Sequence, residues 1–205
     1  MKLYSTVAKE ASAEQIIEKS RFITYVKPVS SKEEADAFIA EIKKKHKDAT
    51  HNVPAMVIGD KFQIQWASDD GEPQGTSGAP IVQMLVQEGV TNVAIVVTRY
   101  FGGIKLGTGG LVRAYTSSAK LGLEAAKVIE IFEKKVLTYQ VDYGIFNKLS
   151  NFTFEQNVSI ENVVYTDVVK FDLVVEPEET DLVKNAVTGI SNGREILESE
   201  ELKKS

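Results

Sequence analysis

Residues 92–110 read NVAIVVTRYFGGIKLGTGG, an apolar run followed by a segment with five glycines in twelve residues. If Asn92–Thr98 forms a strand, both of its faces are apolar. This predicts a central strand that other elements cover on both sides. After Gly110 the sequence returns to helical spacing, and one side of that helix holds Leu111, Tyr115, Ser118 and Leu123. A central strand, a glycine-rich loop and a helix are therefore expected in this order.

The residues before this stretch predict three more strands and two more helices. Strands are indicated by β-branched and aromatic runs, and helices by capping serines and apolar residues three and four apart. The expected elements are a strand over Arg21–Val29, a helix that buries Ala35, Phe38, Ile39 and Ile42, a hairpin of Val53–Ile58 with Phe62–Trp66, and a helix from Pro80 to Gly89. The first domain thus has the order βαββαβ, loop, α.

The pattern changes near Phe132, where apolar and polar residues begin to alternate with a period of two. The expected elements from there are a first strand, a helix over Ile145–Glu155, strands over Val158–Tyr165 and Val168–Val175, a helix over Pro177–Val187 and a short strand over Arg194–Leu197. This βαββαβ order is typical of ferredoxin-like domains. We therefore predict an α+β protein with domains at residues 1–130 and 131–205.

Composition limits the possible functions. The chain has 205 residues and no cysteine, which excludes disulfides, thiolate metal sites and cysteine nucleophiles. It contains no run of 18 apolar residues, so we expect a cytoplasmic protein without membrane contact. Residues 1–128 carry 16 Lys and Arg against 14 Asp and Glu, whereas residues 129–205 carry 8 against 15. Any contact with nucleic acid is therefore expected in the first domain.

The glycine-rich segment Arg99–Gly110 is the first candidate site. Glycines present consecutive N–H groups, and the helix that follows turns its positive end toward the same place, so an anion is the expected ligand. Cations and aromatic rings in the same segment are typical of RNA-contacting loops. The predicted RNA or anion-binding residues are Arg99, Tyr100, Phe101, Gly102, Gly103, Lys105, Gly107, Gly109, Gly110 and Arg113. The structural alternative is a tight crossing with Tyr100 and Phe101 in the core.

The segment Ser68–Gly78 is the second candidate, with three carboxylates in four residues. Its oxygens suggest Mg²⁺ or Ca²⁺ only weakly because the EF-hand spacing is absent, so we predict neither a metal nor a cofactor. The structural alternative is a turn in which Thr76 or Ser77 caps the next helix. We expect this segment, with the nearby histidine, to form the rim beside the first candidate site. The residues assigned to the rim are His51, Asp69, Asp70, Gly71, Glu72, Gly75, Thr76 and Ser77. His51 is a possible base or simply a half-buried polar residue.

Two long motifs in these segments resemble the IMPACT family, in its bacterial two-domain branch. They are SDDGEPQGTSGAPI at Ser68–Ile81 and VVTRYFGGIKLGTGGLVRAY at Val96–Tyr115. The shorter strings KSRF at Lys19–Phe22 and THN at Thr50–Asn52 precede them. One departure is Val53–Met56, which replaces a cysteine and an aromatic residue often found there in the family.

The resemblance implies a first domain like domain IV of elongation factor G and a small-subunit ribosomal protein. It implies a second domain like the ferredoxin-like domain V of that factor. Eukaryotic relatives are linked to control of translation under amino-acid starvation through protein partners. Since a fold does not determine a function, these likenesses are expectations about this chain.

Three functions follow from the residues and the resemblance. We favour an RNA- or ribosome-binding protein that regulates translation, for instance under stress, through the glycine-rich basic and aromatic surface. The second is an enzyme of phosphoryl transfer or hydrolysis, in which the loop amides hold a phosphate, Asp69, Asp70 or Glu72 holds Mg²⁺ and His51 acts as a base. The third is a protein-interaction module that uses the acidic second domain. We therefore favour a binding protein over an enzyme.

Overall fold

The computed structural model describes residues 2–152 and 157–204. The chain divides into two compact units, Tyr4–Glu130 and Ile131–Ser205 with Met1–Leu3. None of the described helices is long and apolar enough to cross a membrane.

The first sheet belongs to the unit Tyr4–Glu130, which we call the N-terminal unit. Its elements are the strands β2 (Ala11–Ile17), β3 (Ser20–Pro28), β4 (His51–Ile58), β5 (Ile64–Ala67) and β6 (Val93–Tyr100), and the helices α1 (Lys32–Lys45), α2 (Gly78–Gln87) and α3 (Gly107–Ala126). The strand order is β2-β3-β6-β4-β5, and every neighbouring pair is antiparallel. The predicted central strand over Asn92–Thr98 is confirmed, since β6 is the middle strand of this sheet.

The central strand β6 separates two layers of core. Val93, Ile95 and Val97 pack in the cluster that holds residues of α2 and α3. Ala94 and Val96 pack in the cluster that holds residues of α1. Each of these five side chains is completely buried, so the sheet lies between α1 on one side and α2 with α3 on the other.

The sequence did not predict the two strands that precede β3. They are β1 (Lys2–Val7) and β2, and β2 carries small or polar residues at most of its half-buried positions. β2 joins β3 through Glu18 and Lys19, both with positive φ (45° and 62°). Two-residue hairpin turns of this kind usually carry Asn-Gly or Asp-Gly, and the absence of that signal explains the omission.

The second sheet has the order β1-β7-β9-β8, and β10 also pairs with β7. Its elements are β7 (Val128–Val141), α4 (Tyr143–Ser150), β8 (Ser159–Tyr165), β9 (Val169–Val175), α5 (Thr180–Ser191) and β10 (Ile196–Lys204), with a 3₁₀ turn at Pro177–Glu179. The predicted βαββαβ order is present. A helix was predicted over Ile145–Glu155; the structure has it over Tyr143–Ser150, and the last part of the predicted range, residues 153–155, lies outside the described residues.

The last strand, β10, is longer than the predicted Arg194–Leu197 and continues through an acidic segment. Charge pairing accounts for this extension. The carboxylate of Glu200 contacts the ammonium groups of Lys135 and Lys184, and that of Glu198 contacts Lys170. The lysines in these pairs lie far from β10 in the sequence. No local pattern of apolar residues therefore indicated the full length of the strand.

Candidate functional site

The two glycine-rich segments lie side by side in the N-terminal unit and enclose a cleft of about 440 Å³. Glu72 and Pro73 line it from the first segment, and Phe101 with residues 105–108 line it from the second. His51 and Arg99 complete the polar part of the lining. We refer to this hollow as the cleft.

Asp69 organises the first segment. Its carboxylate accepts hydrogen bonds from the N–H groups of Gly75, Ser77 and Gly78 at 2.8, 3.2 and 2.9 Å, and from the Ser77 hydroxyl at 2.7 Å. Burial opposes ionisation of Asp69, but these bonds outweigh it and lower its pKa below the ordinary value. Asp69 therefore performs the capping role that the sequence assigned to Thr76 or Ser77.

The hydroxyls of Thr76 and Ser77 bond within the first segment, and two of its glycines adopt turn conformations. Ser77 precedes the first residue of α2 but makes no side-chain cap of its own. The Thr76 hydroxyl donates to the carbonyl of Pro73 at 2.7 Å. Gly71 and Gly75 adopt φ of +89° and +77°, a region that side chains with a Cβ rarely adopt.

Asp70 holds the first segment against α1 and β4. Its carboxylate accepts from the Lys43 ammonium at 2.7 Å and from the N–H of Asn52 at 2.6 Å. Its carbonyl accepts from Nδ1 of His51 at 2.8 Å. The Asp69 and Asp70 carboxylates are thus engaged by protein donors. Across the described ranges, no three His, Cys, Asp or Glu side chains come together as a metal site would require.

Glu72 and Arg99 form a buried ion pair beside the cleft. Arg99 Nη1 donates to Glu72 Oε1 at 2.7 Å, and the Tyr115 hydroxyl donates to the same oxygen at 2.7 Å. Only 8% of Glu72 and 4% of Arg99 are exposed. Burial and the hydrogen bond to Glu72 raise the pKa of Tyr115 well above its ordinary value.

The expectation that Arg99 is a solvent-exposed cation was wrong. β6 runs between β3 and β4 through residue 99, which faces Phe22 on one side and His51 on the other. Since side chains alternate along a strand, Arg99 follows Val93, Ile95 and Val97 onto the face covered by α2 and α3. Side chains on one face of a strand recur every second residue. Continuing the series Val93, Ile95, Val97 to residue 99 would have predicted that Arg99 is buried.

Tyr100 lies outside the cleft lining, on the alternate face of β6. Its hydroxyl accepts from Nδ1 of His46 at 2.9 Å and donates to Asp48 at 3.3 Å. His46 Nε2 accepts from the Tyr25 hydroxyl at 2.8 Å, and burial lowers the pKa of His46. His46 is 9% exposed, so the Tyr100 hydroxyl is engaged by side chains of the protein on the face of β6 away from the cleft.

Phe101 remains 45% exposed and lines the cleft. Its N–H donates to the Thr50 hydroxyl at 2.9 Å, and the Arg99 guanidinium lies 5.3 Å from the centre of its ring. The next residue, Gly102, has no room for a side chain, since a Cβ there would lie 1.9 Å from the Lys19 carbonyl oxygen. This contact fixes the path of the chain after β6.

The start of α3 faces the cleft through Gly107 and Thr108. Gly103 and Gly107 adopt φ of +88° and +70°, which turn the loop into the helix. The helix begins without a side-chain cap. Its first N–H groups have no partner within the helix, and together with the helix dipole they favour a negatively charged group.

A second hollow of about 470 Å³ adjoins the cleft. Lys105 and Leu106 line both, so they form the ridge between them. Gly110 and Arg113 line the second hollow, as does Glu18. The predicted residues therefore divide between two neighbouring hollows and the supports around them.

Sequence reasoning missed three contributors to this region. Tyr115 was assigned only to the apolar side of its helix, yet its hydroxyl contacts Glu72. Ser20 accepts from Arg99 at 3.3 Å and from the N–H of Gly102 at 3.2 Å, and Thr50 accepts from Phe101. Ser20 and Thr50 lie in the short KSRF and THN strings, which were the available signal.

Comparisons with known proteins agree with the motifs. The Impact N-terminal domain matches residues 18–123, and a domain of unknown function matches residues 140–194. The chain is 41% identical over 199 residues to the IMPACT family member YvyE of Bacillus subtilis, which covers 97% of this chain and 92% of that protein. It is 34% identical over 188 residues to an IMPACT family member of Haemophilus influenzae, covering 90% and 91%.

Two further likenesses cover different lengths. The chain is 48% identical to the IMPACT family member YigZ of Escherichia coli over 101 residues, about half of each protein. A solved crystal structure of a hypothetical protein superposes with a TM-score of 0.60 at 31% identity, covering 98% of this chain and 97% of the other. From these matches and from the two motifs that build the cleft, the chain belongs to the IMPACT family.

Proposed function

We propose that this protein binds RNA, free or within the ribosome, and regulates translation in the cytoplasm. The observation that carries the proposal is the cleft, which combines an exposed aromatic ring, a lysine and the uncapped start of a helix. RNA offers a partner to each of them. Bases stack on aromatic rings, and phosphates bind lysines and helix N-termini.

The charge around the two hollows favours a polyanion. Lys105 and Arg113 line the hollows and are exposed, and within residues 2–152 and 157–204 neither forms an ion pair. Exposed cations without a carboxylate partner attract phosphates and release counterions when they bind them. Glu18, which lines the second hollow, opposes this attraction locally.

The shared ridge of Lys105 and Leu106 suggests the path of a single strand. One nucleotide occupies the cleft against Phe101, the phosphate crosses the ridge at Lys105, and the neighbouring nucleotide lies in the second hollow near Arg113. Single-stranded RNA fits this arrangement better than a duplex because its bases are free to leave the stack.

An enzyme that uses Mg²⁺ fits the same cleft less well. Such an enzyme needs carboxylate oxygens that are free to bind the metal. The carboxylates of Asp69 and Asp70 instead accept hydrogen bonds from backbone N–H groups, a hydroxyl and an ammonium. These bonds would have to break before a metal ion could bind Asp69 or Asp70, and Glu72 offers only one oxygen, since Arg99 and Tyr115 hold the other.

Removing the ring and the ammonium together should weaken RNA binding strongly. We expect Phe101→Ala with Lys105→Ala to reduce the affinity for a single-stranded RNA by about tenfold or more, since one stacked base contributes about 1–3 kcal/mol. The loss of one phosphate contact should also reduce the salt dependence by about one released ion. Fluorescence anisotropy at two salt concentrations measures both quantities.

Lys120→Ala is the matched control because Lys120 is an exposed lysine of α3 that pairs with Glu88 and does not line the cleft. Its affinity for RNA should stay within about twofold of the wild type. Equal losses in the control and in the double variant would indicate a general charge effect and contradict a role for the cleft.

A further inference from the structure

The polar lining of the cleft contains two hydrogen-bonding atoms that lie close together but are not bonded to each other. The carbonyl of Asp70 can only accept, so the His51 Nδ1 at 2.8 Å from it carries a proton. The other ring nitrogen, Nε2, makes no hydrogen bond within residues 2–152 and 157–204. It lies 3.7 Å from Oε2 of Glu72, which is longer than a direct hydrogen bond.

This pair of atoms is built into the structure. Glu72 and the His51 ring are 4% and 18% exposed, so neither is free to turn into bulk water. Arg99 and Tyr115 hold the other oxygen of Glu72. Two polar atoms fixed this close, yet too far apart to bond directly, are satisfied by a ligand with two neighbouring hydroxyls.

We infer that the cleft receives the 3′-terminal nucleotide of an RNA and that His51 and Glu72 recognise its free ribose diol. The inference rests on the proposed RNA binding and names the part of the RNA that enters the cleft. Vicinal 2′- and 3′-hydroxyls are two adjacent groups, one that bonds Nε2 of His51 and one that donates to Oε2 of Glu72. An internal nucleotide has only the 2′-hydroxyl because its 3′-oxygen is esterified.

The remainder of the cleft suits the remainder of such a nucleotide. The base has the ring of Phe101 as a stacking surface, and the 5′-phosphate has Lys105 and the N–H groups at the start of α3. Nε of Arg99 is buried and has no hydrogen-bond partner in the part of the chain that the structure describes. Arg99 also lines the cleft, so the protein leaves a donor unsatisfied in a side chain at this site.

An amino group would also bring two donors to His51 and Glu72. It offers no ring for Phe101 and no anion for the start of α3, so it would use only one part of the lining. A terminal ribonucleotide uses the His51–Glu72 pair, the aromatic ring and the anion-binding end of the helix together. The volume of about 440 Å³ lies in the range of pockets that hold small-molecule ligands.

The test compares three RNAs of one sequence, each labelled at its 5′ end, that differ only at the 3′ end. One ends in a normal ribose, one in a 2′,3′-dideoxyribose and one in a 3′-phosphate. We expect wild-type protein to bind the normal end at least about tenfold more tightly than either blocked end. In His51→Phe, which keeps a ring but removes both nitrogens, the preference for the normal end should fall to about threefold or less, because only the bond to Glu72 remains.

Lys120→Ala serves again as the control and should retain the preference for the normal end. The comparison of RNA ends uses wild-type protein, so it is informative even if His51→Phe does not fold. Equal binding of all three ends by wild type overturns the inference while RNA binding itself stands. Failure to bind any of the three RNAs overturns both the inference and the proposed function.

Discussion

Replacement of Glu72 by alanine is expected to reduce the free energy of unfolding of the N-terminal unit by about 3–5 kcal/mol. The change leaves the Arg99 guanidinium buried without its counter-charge and removes the acceptor of the Tyr115 hydroxyl. A buried charge that loses its partner carries its full desolvation cost, whereas an exposed one is solvated by water. Urea unfolding of the wild type and the variant measures the difference.

Two further variants separate this cause from a general loss of a carboxylate. Glu88→Ala removes the acid of an exposed pair with Lys120 and should change stability by less than about 1 kcal/mol. Glu72→Gln keeps an oxygen for Tyr115 and should lose less than Glu72→Ala. If Glu72→Ala and Glu88→Ala proved equally mild, the buried pair would not stabilise the sheet as described.

The second large effect is expected from Asp69→Ala, at about 2–3 kcal/mol. The substitution removes the acceptor for three N–H groups and one hydroxyl, and with them the cap of α2. Thermal or urea unfolding gives the loss of stability. Asp69→Asn is the control, since it keeps one oxygen but not the charge, and it should fall between the alanine variant and the wild type.

The same carboxylate predicts a dependence on pH. The folded-state pKa of Asp69 is lowered by its hydrogen bonds, whereas an unfolded aspartate titrates near about 3.9. Its contribution to stability is therefore complete above about pH 4 and is lost as the pH falls through the lower folded-state value. The stability difference between wild type and Asp69→Ala should shrink in that acid range. A difference that stays constant down to pH 2 would contradict the assigned hydrogen bonds.

Regular apolar patterns explain which parts of the fold the sequence predicted. The apolar run before Thr98 and the helical spacing after Gly110 each determine a local structure, and both elements are present. The strand β2 and the strand β10 have weak local patterns, because β2 depends on an unusual turn and β10 on distant lysines. The strand β2 was therefore not predicted, and β10 was predicted too short.

Composition indicated which segments form the candidate site, but it did not indicate how their side chains are oriented. Glycines, cations and aromatic residues drew attention to two segments, and residues of both segments line the cleft. Composition does not determine the direction of a side chain, so Arg99 and Tyr100 were assigned to a surface that neither reaches as a free group. Pairings between distant residues, such as Glu72 with Arg99, became visible only in three dimensions.

The central claim is that RNA contacts the cleft, and backbone amide signals of the protein labelled with ¹⁵N test it most directly. On addition of a short single-stranded RNA, the amides of Phe101, Lys105, Gly107 and Thr108 should shift in a saturable way, while those of the edge strand β5, which does not line the cleft, stay in place. Unchanged signals around the cleft, or shifts confined to β5 and other surfaces, would contradict the account.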